Sequence, residues 1–332
     1  MTTTVPTRMS AVVQHRYGDD LAPLLQHVDD VATPSPGPGQ VLVRVDAAGV
    51  DRGTWHLATG KPYLARLAFG VRRPRLAVPG HDLAGTVVGV GEGVTAWRPG
   101  DAVLGTGRGT YAELALADAD AVVARPAGLP AAEAAAMPDS GSTAWQALHQ
   151  HARVATGDRV LVIGASGGVG SYAVALAAAV GAEVTAVCSA AKADHVRRLG
   201  ATDVIDRHAE EVDARGRHDV VLDLAGNRPL GVLRRALTPR GRLVIVGGED
   251  AGPMLFGLPR QGWAAAVGRV TGQPMRGMLS RPSQETLTAL VAAHAAGRLD
   301  GVVTRHHPLA QAGEALDDLA AGRITGKAVL LP

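Results

Sequence analysis

Alternating apolar and polar positions dominate the first third of the chain. The segment QVLVRVDAAGV at 40–50 has the period of two expected of a strand buried on one face. From residue 10 the same alternation runs until the turn-rich PSPGPG at 34–39 interrupts it. GHDLAGTVVGVGEGVTAWRPGDAVLG at 80–105 reads as short strands punctuated by glycine and proline, and GTYAELALADADAVVARP at 109–126 continues them. These segments predict a compact, partly barrel-like antiparallel sheet up to residue 125.

The pattern changes at LPAAEAAAMPDSGSTAWQALHQHA, 129–152. Pro130 opens an Ala-rich helix that breaks at Met137-Pro138, and a second helix runs through Trp145 and Leu148. From residue 159, near-continuous apolar runs alternate with helical segments: RVLVIGA, EVTAVCS, DVIDR, HDVVLDLAG and GRLVIVGG are the strands. That order predicts a doubly wound parallel sheet. Residues 250–282 show no clear period, and a helix (283–299) and a strand (GKAVLLP) close the chain. These last elements are too few for a third domain and are expected to return to the first.

The chain of 332 residues has length for two domains, with 46% hydrophobic and 19% charged residues, as in soluble globular proteins. A net charge of +2 supplies no strong field for nucleic acid or a membrane surface, so neither is an expected partner. The 3% aromatic content also argues against a single-stranded nucleic-acid platform. One cysteine, Cys188, allows no internal disulfide and no cysteine-rich zinc lobe. MTTTVPTRMS lacks a basic region followed by an apolar stretch, and no run approaches a membrane span, so a cytoplasmic location is expected.

VLVIGASGGVGSYAVALA, 161–178, has the form of a pyrophosphate cradle between a strand and a helix. Ala165, Gly167 and Gly170 align with the three glycines of the dinucleotide fingerprint, with Gly164, Ser166, Gly168 and Val169 around them. Gly167 lets backbone N–H groups approach the phosphates and Gly170 lets the helix pack on the strand. The next strand ends VCSAAK, without the acid that would bond a ribose 2′-hydroxyl. Ser189 and Lys192 there, and Arg207 after the following strand, offer donors to a 2′-phosphate, so the cofactor is read as NADPH. Lys192 is one of only three lysines.

These segments, with AAGVDRGTWHLATGKPYL upstream and DLAGNRPL…LTPRGRLVIVGG downstream, resemble the medium-chain dehydrogenase/reductase family, in its zinc-free quinone oxidoreductase branch. The resemblance implies a Rossmann domain, 126–259, inserted into a β-rich, GroES-like catalytic domain of residues 1–125 and 260–332. Asp51, His81-Asp82 and Asp139 or Ser140 stand where zinc-dependent members hold catalytic zinc, but no thiolate is present, and no metal is expected. Without a metal, hydride transfer to an activated double bond is easier to support than transfer to a simple ketone.

The resemblance suggests Tyr63 and His56 as donors to substrate oxygen and Asp51 as a ribose contact or polar pocket residue. It makes Asp51 and Arg52 the end of a strand facing the cleft. It also suggests Thr143 and Gly247 at the nicotinamide end and Asn227 near the ribose or adenine edge, with a weaker role for Lys327. The resulting expectation is an NADPH-dependent reductase of enones, enoyl groups or quinones, acting as a homodimer in which 250–282 contribute contacts. The alternatives are a zinc-free alcohol/ketone oxidoreductase and a non-catalytic NADPH-binding redox sensor.

Overall fold

The computed structural model describes residues 5–248 and 257–332, so 1–4 and 249–256 lie outside the described residues, the latter including the start of the segment without a clear period. The chain divides into two compact units. In the first, β1 (Arg8–Val13) and β2 (Gln26–Ala32) form an antiparallel pair, and β3 (Gln40–Val50) is the expected long strand. Here β3 stops one residue short of Asp51, which is extended and caps α1 (Arg52–Thr59). Arg52 is therefore helical rather than the end of a strand. Asp51 followed three positions later by Thr54 is a capping arrangement, and the apolar run before it masks the signal. A short helix, α2 (Arg66–Phe69), follows, and then β4 (Asp82–Val90), β5 (Ala102–Thr106), β6 (Leu114–Asp118) and β7 (Val122–Ala124).

The Ala-rich helix α3 (Ala131–Ala136) ends at Met137, and Pro138 opens α4 (Pro138–Trp145), which runs on into a π-helical turn at Gln146–Ala152. In the second unit β8 (Arg159–Ile163) leads into α5 (Gly168–Val180), β9 (Glu183–Cys188), α6 (Ala193–Arg198) and β10 (Asp203–Asp206). After them come β11 (His218–Asp223), α7 (Leu230–Arg235), β12 (Leu237–Ile245), α8 (Leu258–Thr271) and β13 (Met275–Gly277). The strand order is β10-β9-β8-β11-β12-β13, all parallel. Ile163 pairs with Val187 on one side and Asp223 on the other, which aligns three strand ends where the order reverses. That switch point is where an open parallel sheet binds a nucleotide.

The chain then forms α9 (Gln284–Ala295), β14 (Val303–Pro308), α10 (Ala312–Ala320) and β15 (Lys327–Leu331). Antiparallel pairing of β15 with β3 returns the tail to the first sheet, whose order is β14-β15-β3-β4-β5-β7 with β6 also on β3. The first unit comprises Met1–Ser142, Pro282–Ala295 and Val303–Pro332, and the second Thr143–Arg281 and Ala296–Val302. The second division lies later than the boundary at 260 that the resemblance implies, and the first lies later than the change in hydrophobic pattern at 125. The reason is packing: Ala134, Ala135 and Ala136 are buried, and a Cβ on Gly49 of β3 would fall 2.7 Å from the Ala135 carbonyl. Aliphatic side chains build both cores, led by Val41, Val43, Leu83 and Val103 in one and Leu161, Val221 and Ile245 in the other.

Candidate functional site

Gly164 makes the turn that leaves β8, with φ of +86°, and this left-handed residue precedes the fingerprint position held by Ala165. Ala165 is therefore under no demand for glycine; it is buried and donates its N–H to Val187 O at 3.1 Å. Gly170 is under such a demand, because a Cβ there would sit 2.2 Å from Gly164 O. At Gly167 an added Cβ would meet nothing nearer than 3.6 Å. The protein itself leaves that backbone bare, as a phosphate-binding turn requires. Gly167 caps α5 without a side-chain hydrogen bond, and no acid lies in the first turn. Gly167, Gly168 and Val169 are partly exposed while Ser166 is buried, so solvent reaches the start of a thirteen-residue helix, whose first-turn N–H groups have no intrahelical acceptor. These features fit a dinucleotide pyrophosphate.

The three predicted donors lie on the backbone at the carboxyl end of β9. Ser189 follows directly, Lys192 closes the next short turn, and the Arg207 N–H bonds Cys188 O at 2.9 Å. Burial raises the Cys188 thiol pKa, Asp206 raises it further, and Lys192, Arg197 and Arg207 oppose them, which places three cations around this strand end. Asp206, which the sequence reading did not weigh, pairs with Cys188 across the sheet. Its Oδ1 accepts the His208 N–H at 3.1 Å, which ties the carboxylate into its own turn.

Two loops at the ends of β11 and β12 approach backbone to backbone. A Cβ on Gly226 would lie 2.4 Å from the Gly247 carbonyl carbon, and one on Gly247 would lie 2.2 Å from Leu224 O. Buried Asp223, also missed from sequence, anchors this corner: it accepts the Gly226 N–H at 3.0 Å and pairs with Arg260 at 2.6 Å. Burial raises its pKa and Arg260 opposes that. Asn227 is exposed beside them, and Thr143 is buried on α4.

In the first unit, Asp51 serves as a helix cap. Its Oδ1 accepts the Thr54 N–H at 2.6 Å and its Oδ2 the Thr54 hydroxyl at 3.2 Å. His56 lies on the same helix five residues on, and burial, with Arg52 nearby, lowers its pKa to about 4. It is neutral at physiological pH. Tyr63 is 41% exposed, and Arg66 stacks between its ring and that of Tyr17, at 4.7 and 4.4 Å from the centroids. His56 and Arg66 line one small pocket.

The positions set against zinc ligands form a different network. Asp82 is fully buried, its Oδ2 accepts the Asp139 N–H at 3.1 Å, and its Oδ1 has no partner among the described residues. The ammonium of Lys327, also buried, lies 3.7 Å from Asp82 Oδ2 and donates to Ser140 Oγ at 3.1 Å. Burial and the nearby Asp51 push the Asp82 carboxyl well up, against Lys327. The same causes raise Asp139 to about 6, with Lys327 and His81 opposing. Buried Tyr111 donates to Gly49 O at 3.1 Å. Among the described residues no three His, Cys, Asp or Glu side chains gather to hold a metal ion. The sequence signals for Lys327 were the rarity of lysine and the weaker role that the resemblance gives it.

Residues 37–127 match the alcohol dehydrogenase GroES-like domain family, and 199–330 the zinc-binding dehydrogenase family. The chloroplast envelope quinone oxidoreductase homolog of Arabidopsis thaliana is 34% identical over 342 residues, 98% of each chain. The structure of the quinone oxidoreductase from Coxiella burnetii aligns with a TM-score of 0.85 at 27% identity, over 98% of this chain and 99% of that one. The mycobacterial protein Rv1454c, solved complexed with NADPH, aligns with a TM-score of 0.80 at 26% identity, over 98% of this chain and 100% of that one. Identity sustained along nearly the whole chain, with the two domain families in order, assigns this oxidoreductase to the zinc-free, quinone oxidoreductase-like branch of the medium-chain dehydrogenase/reductase family.

Proposed function

We propose that the chain is an NADPH-dependent reductase acting on the activated C=C bond of an enone or enoyl group, or on a quinone. The observation that carries the cofactor choice is the end of β9, where Ser189 follows the strand, Lys192 closes the next turn and the Arg207 N–H bonds Cys188 O, while Asp206 is tied into its own turn and Asp194 pairs with Arg197. The names of two relatives and the NADPH complex of a third support the same reading. When bound, the reduced nicotinamide supplies the hydride.

The chain's own residues then have three tasks. Gly167 and the first turn of α5 hold the pyrophosphate, and Ser189, Lys192 and Arg207 receive the 2′-phosphate. Asn227, Gly247 and Thr143 border the sugar and nicotinamide. Tyr63 and His56 meet the acceptor's oxygen, where charge collects as the double bond is reduced. Because burial holds the His56 pKa near 4, its imidazole acts as a neutral N–H donor and not as an acid. The carbon proton then comes from the Tyr63 hydroxyl or from water. A quinone is a cross-conjugated enone, so the same donors serve both acceptor classes. Asp51, fully used in capping α1, contributes by fixing the helix that carries His56.

Fluorescence titration with NADPH and NADH tests the cofactor assignment. Lys192→Ala weakens NADPH by about 1–3 kcal/mol and leaves NADH nearly unchanged. Equal losses for both cofactors would overturn it.

A further inference from the structure

Six of the eleven large apolar side chains that stay exposed among the described residues lie in one short stretch: Tyr63, Leu64, Leu67, Phe69, Val71 and Leu76. Its sequence, YLARLAFGVRRPRL, also carries Arg66, Arg72, Arg73 and Arg75, and no acid occurs between Lys61 and Gly80. Arg66 is engaged with Gly60 O and two tyrosine rings. Arg72, Arg73 and Arg75 are exposed, and their side chains have no ion pair or hydrogen bond among the described residues. The stretch is nonetheless built. The Tyr17 hydroxyl donates to Gly70 O at 2.7 Å, and the Arg75 N–H donates to Phe69 O at 2.9 Å. Phe69 and Leu76 also line an apolar pocket of about 290 Å³ with Leu57, Ala68, Val78 and Pro79.

Exposed leucine and phenylalanine interleaved with arginine is the chemistry of an interfacial anchor. The apolar side chains enter the acyl boundary and the guanidinium groups meet lipid phosphates. The net charge of +2, which makes a membrane an unexpected partner for the whole chain, averages over this local cluster. A second copy of the chain is a poorer occupant, because a two-fold contact would set the same arginines against one another. We propose that Leu64–Leu76 is a docking face for an anionic lipid bilayer, with the adjoining pocket extending the apolar surface inward.

Vesicle flotation of the full chain tests this, using pure phosphatidylcholine and phosphatidylcholine with about one third phosphatidylglycerol, at low salt and at about 0.15 M. The wild type floats with the anionic vesicles and much less with the neutral ones. Arg72→Glu/Arg73→Glu cuts the bound fraction about tenfold, and Leu67→Ser/Val71→Ser, with its charge intact, also cuts it several-fold. Thermal melts verify that each variant is folded, and the readout needs no turnover. Absence of lipid-dependent flotation overturns the proposal, as does binding that survives either double variant. If Leu67→Ser/Val71→Ser instead dissociates an oligomer of a chain that ignores vesicles, the face belongs to a protein contact.

Discussion

Lys327 shows how burial turns one charge into a structural requirement. Its ammonium is the cation in contact with Asp82, and both side chains are out of water. Lys327→Met leaves the carboxylates of Asp82 and Asp139 without it, and the expected destabilisation is about 3–5 kcal/mol by chemical denaturation. Asp82→Asn together with Lys327→Met recovers part of that loss; a single Lys327→Met variant as stable as the wild type would contradict the network. Asp139 carries a pH signature. Its folded pKa of about 6 lies above the unfolded value, so the folded state binds the proton more tightly. This group's contribution is present at low pH and is lost as pH rises through about 6, by roughly 1–3 kcal/mol. Stability-versus-pH curves of wild type and Asp139→Asn should diverge in that window and in that direction. The positions of Ser189, Lys192 and Arg207 were readable because Ser189 and Arg207 directly follow strands and Lys192 closes the short turn after one. Lys327 was barely so, since Ser140 is 187 positions away and only the fold joins them.

At the scale of elements, the strand-turn-helix of β8 and α5 was readable in full, because apolar run, glycine cluster and helix are contiguous. The structure separates its glycines by what each excludes. Gly170→Ala drives a Cβ against the Gly164 carbonyl, so it costs about 1–3 kcal/mol of stability as well as cofactor affinity. Gly167→Ala meets no protein atom closer than 3.6 Å. It is expected to melt nearly as the wild type does while binding NADPH at least about tenfold more weakly. Matching losses of stability in the two variants would show that Gly167 is needed for the turn rather than for a ligand. Other elements were hidden for physical reasons. The strand β14 is VTRHHP, exposed at most positions, so no apolar alternation marks it. The helix α10 buries only Ala312, Gly313, Ala315 and Leu316, a stripe too small-sided to stand out in an Ala-rich chain.

For the whole molecule, two units and a tail that returns to the first sheet follow from the hydrophobic pattern, since β15 completes what β3 begins. The division points did not follow, because α3 has the composition of the second unit and packs with the first. Whole-chain charge likewise concealed the arginines beside the exposed apolar face. The central claim is that the cofactor's hydride goes to a conjugated double bond or quinone. Its most direct test is NADPH consumption by the purified protein against a matched panel of enones, quinones and saturated ketones. Turnover with enones or quinones, and little with the ketones of the same skeleton, is the predicted result. Turnover confined to the ketones, or tight NADPH binding with no turnover of any acceptor, would contradict it.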